Sequence, residues 1–294
     1  MRIGKGWALV LLLCAGTANA CINEVGTDHQ GNRFHADWPL GDGLAINLTR
    51  APSDNFWLRD ADAIVTRARS EPDFQTLTAL GIVLIHQGKY TQAIRLFLAL
   101  EKRYPGHHQT AANLGTALEL AGHDATALRW IRLGIRRNAD EHYGTEWLHA
   151  RILEAKLAQA KDPTYLKRHS VAGVTFDKTL VPDVPRQLPF GNTGKPVTPR
   201  ELDQALSYQL FERTTFVRSR DPVVASLLED WATLNLAGGA IENAAVLYDA
   251  AVKYGAPRDA LMRNRQEYIA RVLRQAGDSE PKADAHCEIC WRQE

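Results

Sequence analysis

Residues 74–105 read FQTLTALGIVLIHQGKYTQAIRLFLALEKRYP, and residues 108–139 read HQTAANLGTALELAGHDATALRWIRLGIRRNA. The second stretch restates the first at a period of 34 residues. Leu80-Gly81 returns as Leu114-Gly115, Leu84 as Leu118, Gly88 as Gly122, Ala93 as Ala127 and Phe97 as Ile131. Tyr90, Leu100 and Pro105 change to Asp124, Gly134 and Ala139, and Leu77 to Ala111.

Each recurrence has a physical reason. Apolar residues at three- and four-residue spacing make one face of a helix. Gly88 and Gly122 fall between two such helices, where a tight turn favours a residue without a Cβ. Gly81, Gly115, Ala93 and Ala127 fall mid-helix, where only a small residue lets a neighbouring helix approach. Two copies of a helix–turn–helix unit with small residues at the crossings predict stacked hairpins, each burying its face on the next.

The quoted positions resemble the tetratricopeptide repeat (TPR) family, with Leu80-Gly81-x2-Leu84, Ala93-x3-Phe97 and Pro105 in one copy. The second copy has Leu114-Gly115-x2-Leu118 and Ala127-x3-Ile131. Leu77 and Ala111 depart from the family's Trp, and Ala139 from its Pro. The run Gly144-Thr145-Glu146-Trp147-Leu148-His149, with Asp221-Pro222-Val223-Val224 later, is similar to a group of exported bacterial TPR proteins to which no chemistry is attached. The resemblance implies an all-α fold: a right-handed superhelical array of helix hairpins, with a long Pro-rich loop and a degenerate TPR-like hairpin at the C-terminal end.

It also implies where a partner binds. In TPR proteins the first helices line a concave groove that holds peptides or helices. The matching positions here are Gln75, Thr78, Ile82, Ile85, His86, Gln109, Asn113, Thr116, Glu119, Tyr143, Glu146 and Ala150. Some TPR domains clamp a terminal carboxylate with basic and amide residues. At those positions this chain has Thr78, Ile82, Asn113, Tyr143 and Trp147, and only Asn113 fits. The acids Glu119, Glu146 and Glu154 instead favour a neutral or cationic segment.

Working outward, residues 142–165 supply a partial third copy, and Lys161-Asp162-Pro163 ends it. Residues 166–198 carry Pro182, Pro185, Pro189 and Pro196 and read as a long loop. Its Phe176, Leu180, Val181, Leu188 and Phe190 are candidate anchors, and Val171–Phe176 a candidate short strand. A disordered linker is the rival reading. This loop and the N-terminal arm both compete to cover the groove.

Residues 199–276 return to helix. Thr198-Pro199-Arg200-Glu201 reads as an N-terminus, and 222–257 is the degenerate hairpin, with Ala232 at the small position and Ala244-x3-Tyr248 on its second helix. A last helix over about 258–275 caps it, and 277–294 is an acidic tail. Residues 21–58 have no period and read as an irregular arm leading to the repeats at 59–165.

Residues 1–20 read as a secretory signal peptide: Arg2 and Lys5, an apolar run from Trp7 to Ala15, and Ala18-Asn19-Ala20. This predicts an exported, periplasmic or secreted chain beginning at Cys21. Ala18 stands where a lipoprotein signal usually has Leu, which favours a soluble product over acylation of Cys21. No later stretch is long enough to span a membrane.

Composition narrows the function classes. The chain has 294 residues, 45% hydrophobic and 23% charged, which excludes a mostly disordered protein. Thirty-five basic against 34 acidic residues, a net charge of +1, argue against a dedicated nucleic-acid binder. Arg129, Arg132, Arg136 and Arg137 form a basic stripe that reads as a solvated face. No metalloprotease, nucleophile-elbow or phosphate-loop signature occurs. The ten histidines are scattered; His142 and His149, seven apart, can share a helix face. Cys287-x-x-Cys290 predicts a local disulfide, with a bridge to Cys21, a redox pair or half a metal site as alternatives. The expected function is a non-catalytic scaffold without a cofactor that binds a protein or peptide in its groove. The alternatives are a redox or metal-binding accessory protein using Cys287 and Cys290, and an enzyme with a nonlocal site.

Overall fold

The computed structural model describes residues 24–36, 38–49, 55–218, 220–282, 284–285 and 287–290. The signal-peptide residues, Cys21, His286 and Trp291 lie outside them.

The described chain is mostly helical. A two-stranded antiparallel hairpin, β1 (Glu24–Thr27) and β2 (Arg33–Ala36), comes first. Three short helices follow: α1 (Asp42–Leu48), α2 (Phe56–Arg59) and α3 (Ala61–Ser70). The repeats give α4 (Phe74–His86), α5 (Tyr90–Arg103), α6 (His108–Leu120) and α7 (Asp124–Arg137). Then come the turn α8 (Glu141–Gly144) and α9 (Glu146–Lys161). After the long loop lie α10 (Pro199–Phe216), α11 (Pro222–Gly238), α12 (Ile241–Tyr254) and α13 (Ala260–Ala276). No helix among the described residues is long and apolar enough to cross a membrane.

Local chemistry sets the helix ends. Asp73 and Thr76 close a capping box on α4, and Thr198 and Glu201 close one on α10 ahead of Pro199. Asp221 accepts from the backbone N–H groups of Val223 and Val224 at the start of α11. Gly88 (φ 71°) and Gly122 (φ 82°) make the left-handed turns inside the two repeat hairpins.

The helices α4 to α7 and α9 pack in series, each against the next, as a hairpin array compatible with a TPR-like repeat. A Cβ on Gly81 would strike the Phe97 ring, and one on Gly115 would strike Ile131. These glycines are therefore the crossing points of each hairpin.

Two cores form. One joins Phe97, Leu100, Leu114, Ile131 and Leu153 in the repeats. The larger joins α10 to α13 with the N-terminal segment, the loop and the tail. Helix α9 serves both: Ala150 and Leu153 face the repeat core, and Trp147, Leu148, Ile152 and Ala155 face the other. An apolar circumference is what a helix buried on two sides requires.

The N-terminal stretch read as irregular is folded onto the C-terminal half. Phe34, Ala36, Leu44 and Leu48 are buried there, and the Glu242 carboxylate accepts from the Thr27 N–H at 3.0 Å. The long loop is ordered against the same half. Val171, Ala172, Val174 and Val197 are buried, and Phe176, Val181 and Leu188 pack half-buried. Leu180 and Phe190 stay exposed, and Val171–Phe176 forms no strand. Arg265 on α13 donates to the Asp177 and Thr179 carbonyls, fixing that stretch of the loop to the C-terminal half. The tail also docks. Cys287 and Cys290 form a disulfide, the Glu288 N–H donates to the Gly238 carbonyl at 3.0 Å, and Ile289 is fully buried.

Candidate functional site

Of the two segments expected to compete for the partner-facing side of the repeats, the long loop lines none of the opening there, and the end of the N-terminal arm reaches it only through Asn55 and Trp57. Helix α10 lies there. Its apolar stripe, Leu202, Ala205, Leu206 and Leu210, is fully buried in the C-terminal core. Its other stripe, Tyr208, Glu212 and Phe216 with Gln209 and Arg213, turns toward α4, α6 and α9. Trp57 on α2 closes one end. What is left of the groove is an opening of about 220 Å³.

Of the twelve predicted groove residues, the opening gathers Ile82, Ile85, His86, Asn113, Thr116, Glu119 and Glu146. Gln75 is exposed, Thr78 donates to the Phe74 carbonyl, and Gln109 and Ala150 lie outside the lining. Tyr143 projects 72% exposed beside a second, larger hollow that Trp147 and the loop residues Gly191–Val197 share.

An ion network forms the floor. Arg213 reaches from α10 to Glu119 on α6 with two parallel bonds, at 2.7 and 3.2 Å. His149 Nε2 meets the same carboxylate at 2.7 Å, and Lys156 Nζ bridges it at 3.1 Å to Asp124 at 2.7 Å. Glu146 lies between His142 Nδ1, at 2.5 Å, and His149 Nδ1, at 3.4 Å. Helical spacing explains one pair, Glu146 and His149 on one face of α9, whereas His142 precedes that helix and reaches Glu146 through the left-handed turn before it.

The network decides protonation. Burial pushes Glu119 up, yet Arg213 and His149 outweigh it and hold the carboxyl well below its ordinary range. Burial likewise opposes ionisation of Glu146, and the bonds from His142 and His149 win, bringing it to about 2. Burial would neutralise His149, but Glu119 and Glu146 raise it to about 9. His142 is raised against its burial by Glu146 and Glu141. His149 therefore carries a proton at neutral pH, and the charged form of His142 is favoured.

The opposite wall is aromatic. His86 stacks on Phe216 with ring centroids 4.9 Å apart and lies nearly parallel to Trp57 at 6.3 Å. Burial lowers His86 to about 4, so it is neutral. The Asn55 side-chain amide lies 3.0 Å from its Nδ1; donation there places the ring proton on Nε2.

The backbone beside the network is unusual. His142 (φ 50°) and Tyr143 (φ 58°) are left-handed, and Gly144 (φ 74°) continues the run. A non-glycine residue held so costs roughly 1–2 kcal/mol. His142 is kept there by Glu146, by stacking on Tyr208 at 5.2 Å, and by the Thr145 hydroxyl donating to its carbonyl at 2.8 Å.

Sequence reasoning missed the α10 contribution, because Tyr208, Glu212 and Arg213 lie far along the chain from the helices they face. It saw His142 and His149 as a face but read them as solvated or packed. No three His, Cys, Asp or Glu side chains among the described residues are arranged to hold a metal ion. The sequence matches no protein-family model, and a search of the curated proteins finds no match to it.

Proposed function

We propose that this is an exported TPR scaffold, a right-handed array without catalytic activity, that binds a protein partner through what α10 leaves open of its concave side. The observation that supports this reading is the opening itself. Seven residues at partner-facing positions of the repeats remain together around one hollow, beside an aromatic wall, after the rest of the groove is filled. The hollow is smaller than the roughly 300–1,000 Å³ of a drug-sized ligand site. It suits one side chain of a partner, with flanking contacts on the rim.

The alternatives are less well supported. For catalysis, the strained His142 beside Glu146 is the attraction. Yet His149 is already protonated, His142 is shifted toward its charged form, burial raises Tyr208 further from ionisation, and the Thr116 hydroxyl donates to Ala112 at 3.2 Å. For redox work, Cys287 and Cys290 are each 3% exposed and act as part of the packing.

The test places a photoreactive phenylalanine analogue at Trp57, in the opening, or at exposed Leu98 on α5. Irradiation in native extracts should yield a protein adduct of defined mass from position 57 and none from position 98. Equal adducts from both positions, or none from position 57, overturn the reading.

A further inference from the structure

The charges around the opening divide into those ion-paired within the protein and one that is not. Glu119 is held by Arg213, His149 and Lys156, and Glu146 by His142 and His149. Glu212 lines the same opening and stands apart. Among the described residues no group hydrogen-bonds its carboxylate, and only the longer-range fields of His142 and Glu146 reach it. Desolvation raises its pKa and the nearby His142 draws it back down, yet the carboxylate is exposed and faces water rather than a bonded partner.

Its position is set by α10. Tyr208, Glu212 and Phe216 are successive four-residue steps and project on one face. Phe216 carries the row of rings on to His86 and Trp57. A lone carboxylate beside aromatic faces is a receptor for an organic cation, because the ring quadrupole and the anion attract the same charge.

Resting on the reading of this opening as the partner site, we propose that it takes a basic side chain, arginine or lysine, whose cation pairs with Glu212 alongside the Trp57–His86–Phe216 row. The volume fits one such chain. The neutral state of His86 leaves the aromatic wall without repulsion toward it. The guanidinium adds stacking to the ion pair, so arginine binds more tightly than lysine.

The probes are the blocked tripeptides Ac-Gly-X-Gly-amide with X as arginine, lysine or citrulline, titrated calorimetrically into the full chain. The arginine peptide is expected to bind about tenfold or more tighter than its neutral citrulline analogue, with lysine between them. Glu212→Gln should abolish that preference. The same substitution should leave the melting temperature unchanged or raise it, since the carboxylate has no partner to lose. Equal binding of arginine and citrulline, or a preference that survives Glu212→Gln, overturns the proposal. The partner reading fails separately. A Trp57 adduct that forms unchanged in the Glu212→Gln background keeps the scaffold and refutes the cation site. Arginine binding through Glu212 without any Trp57 adduct supports the cation site and refutes the protein partner.

Discussion

The repeat half and the C-terminal half of this protein are both helical hairpins, and they are stabilised in different ways. In α4 to α7 every main contact is with the next helix along the chain, and glycine at the crossings sets the spacing. In α10 to α13 the hairpin α11–α12 is wrapped by segments from elsewhere: β1 and α1 from the start, the loop, and the disulfide tail. Local stacking can be read from a period. Wrapping cannot, since its partners lie far apart in the chain, 215 positions in the bond from Thr27 to Glu242 and 239 in that from Tyr268 to His29.

The largest test of this contrast is the ionic strap between the halves. Arg213→Ala takes the two-pronged partner from the buried Glu119, leaving it to His149 and Lys156, and should cost about 3 kcal/mol in urea unfolding. A loss of under 1 kcal/mol from Arg213→Ala would mean the strap is not buried as described.

Next in size is the shared helix. Leu148→Ala and Leu153→Ala each empty a fully buried site, one in each core, and each should cost about 2–5 kcal/mol. Because α9 belongs to both cores, both variants should lower a single transition followed by circular dichroism. Two separated transitions would show that the halves melt independently.

Smaller again is a pair of glycines. Gly81→Ala forces Phe97 aside and should cost about 1–3 kcal/mol. Gly88→Ala meets open space, and only its left-handed backbone opposes the change, at about 1 kcal/mol. Reversal of that order would argue against Gly81 as the crossing point.

Acid and base should act gently and from opposite sides. His149, raised to about 9, contributes stability that is complete below its ordinary 6.5 and lost as pH rises through 9. Glu146, lowered to about 2, contributes stability that is complete above its ordinary 4.5 and lost as pH falls toward 2. Stability measured against pH should therefore be highest between about 4.5 and 6.5 as far as this pair decides it. His149→Gln should flatten the alkaline limb.

The repeats were legible because Leu80, Gly81, Ala93 and Phe97 and their copies touch within one hairpin. The cap at Thr198 was legible for the same local reason. The site was half legible. Its repeat-side residues follow from the period, whereas Tyr208, Glu212 and Arg213 read as the polar side of an ordinary amphipathic helix. Only a charge pair spanning 94 positions, Arg213 with Glu119, discloses that this side is also buried. The N-terminal hairpin was missed because four-residue strands are too short for alternation to stand out.

Helix α10 occupies its own protein's groove in cis. A tethered segment of this kind faces its site at an effective concentration on the order of millimolar, set by the tether rather than by the cell. Any free helix seeking the same full-length berth competes against that concentration and against the burial of Leu202, Leu206 and Leu210. If the opening is a partner site as proposed, competition would filter ligands by reach: a side chain that slips past α10 would be admitted, and a whole helix turned away.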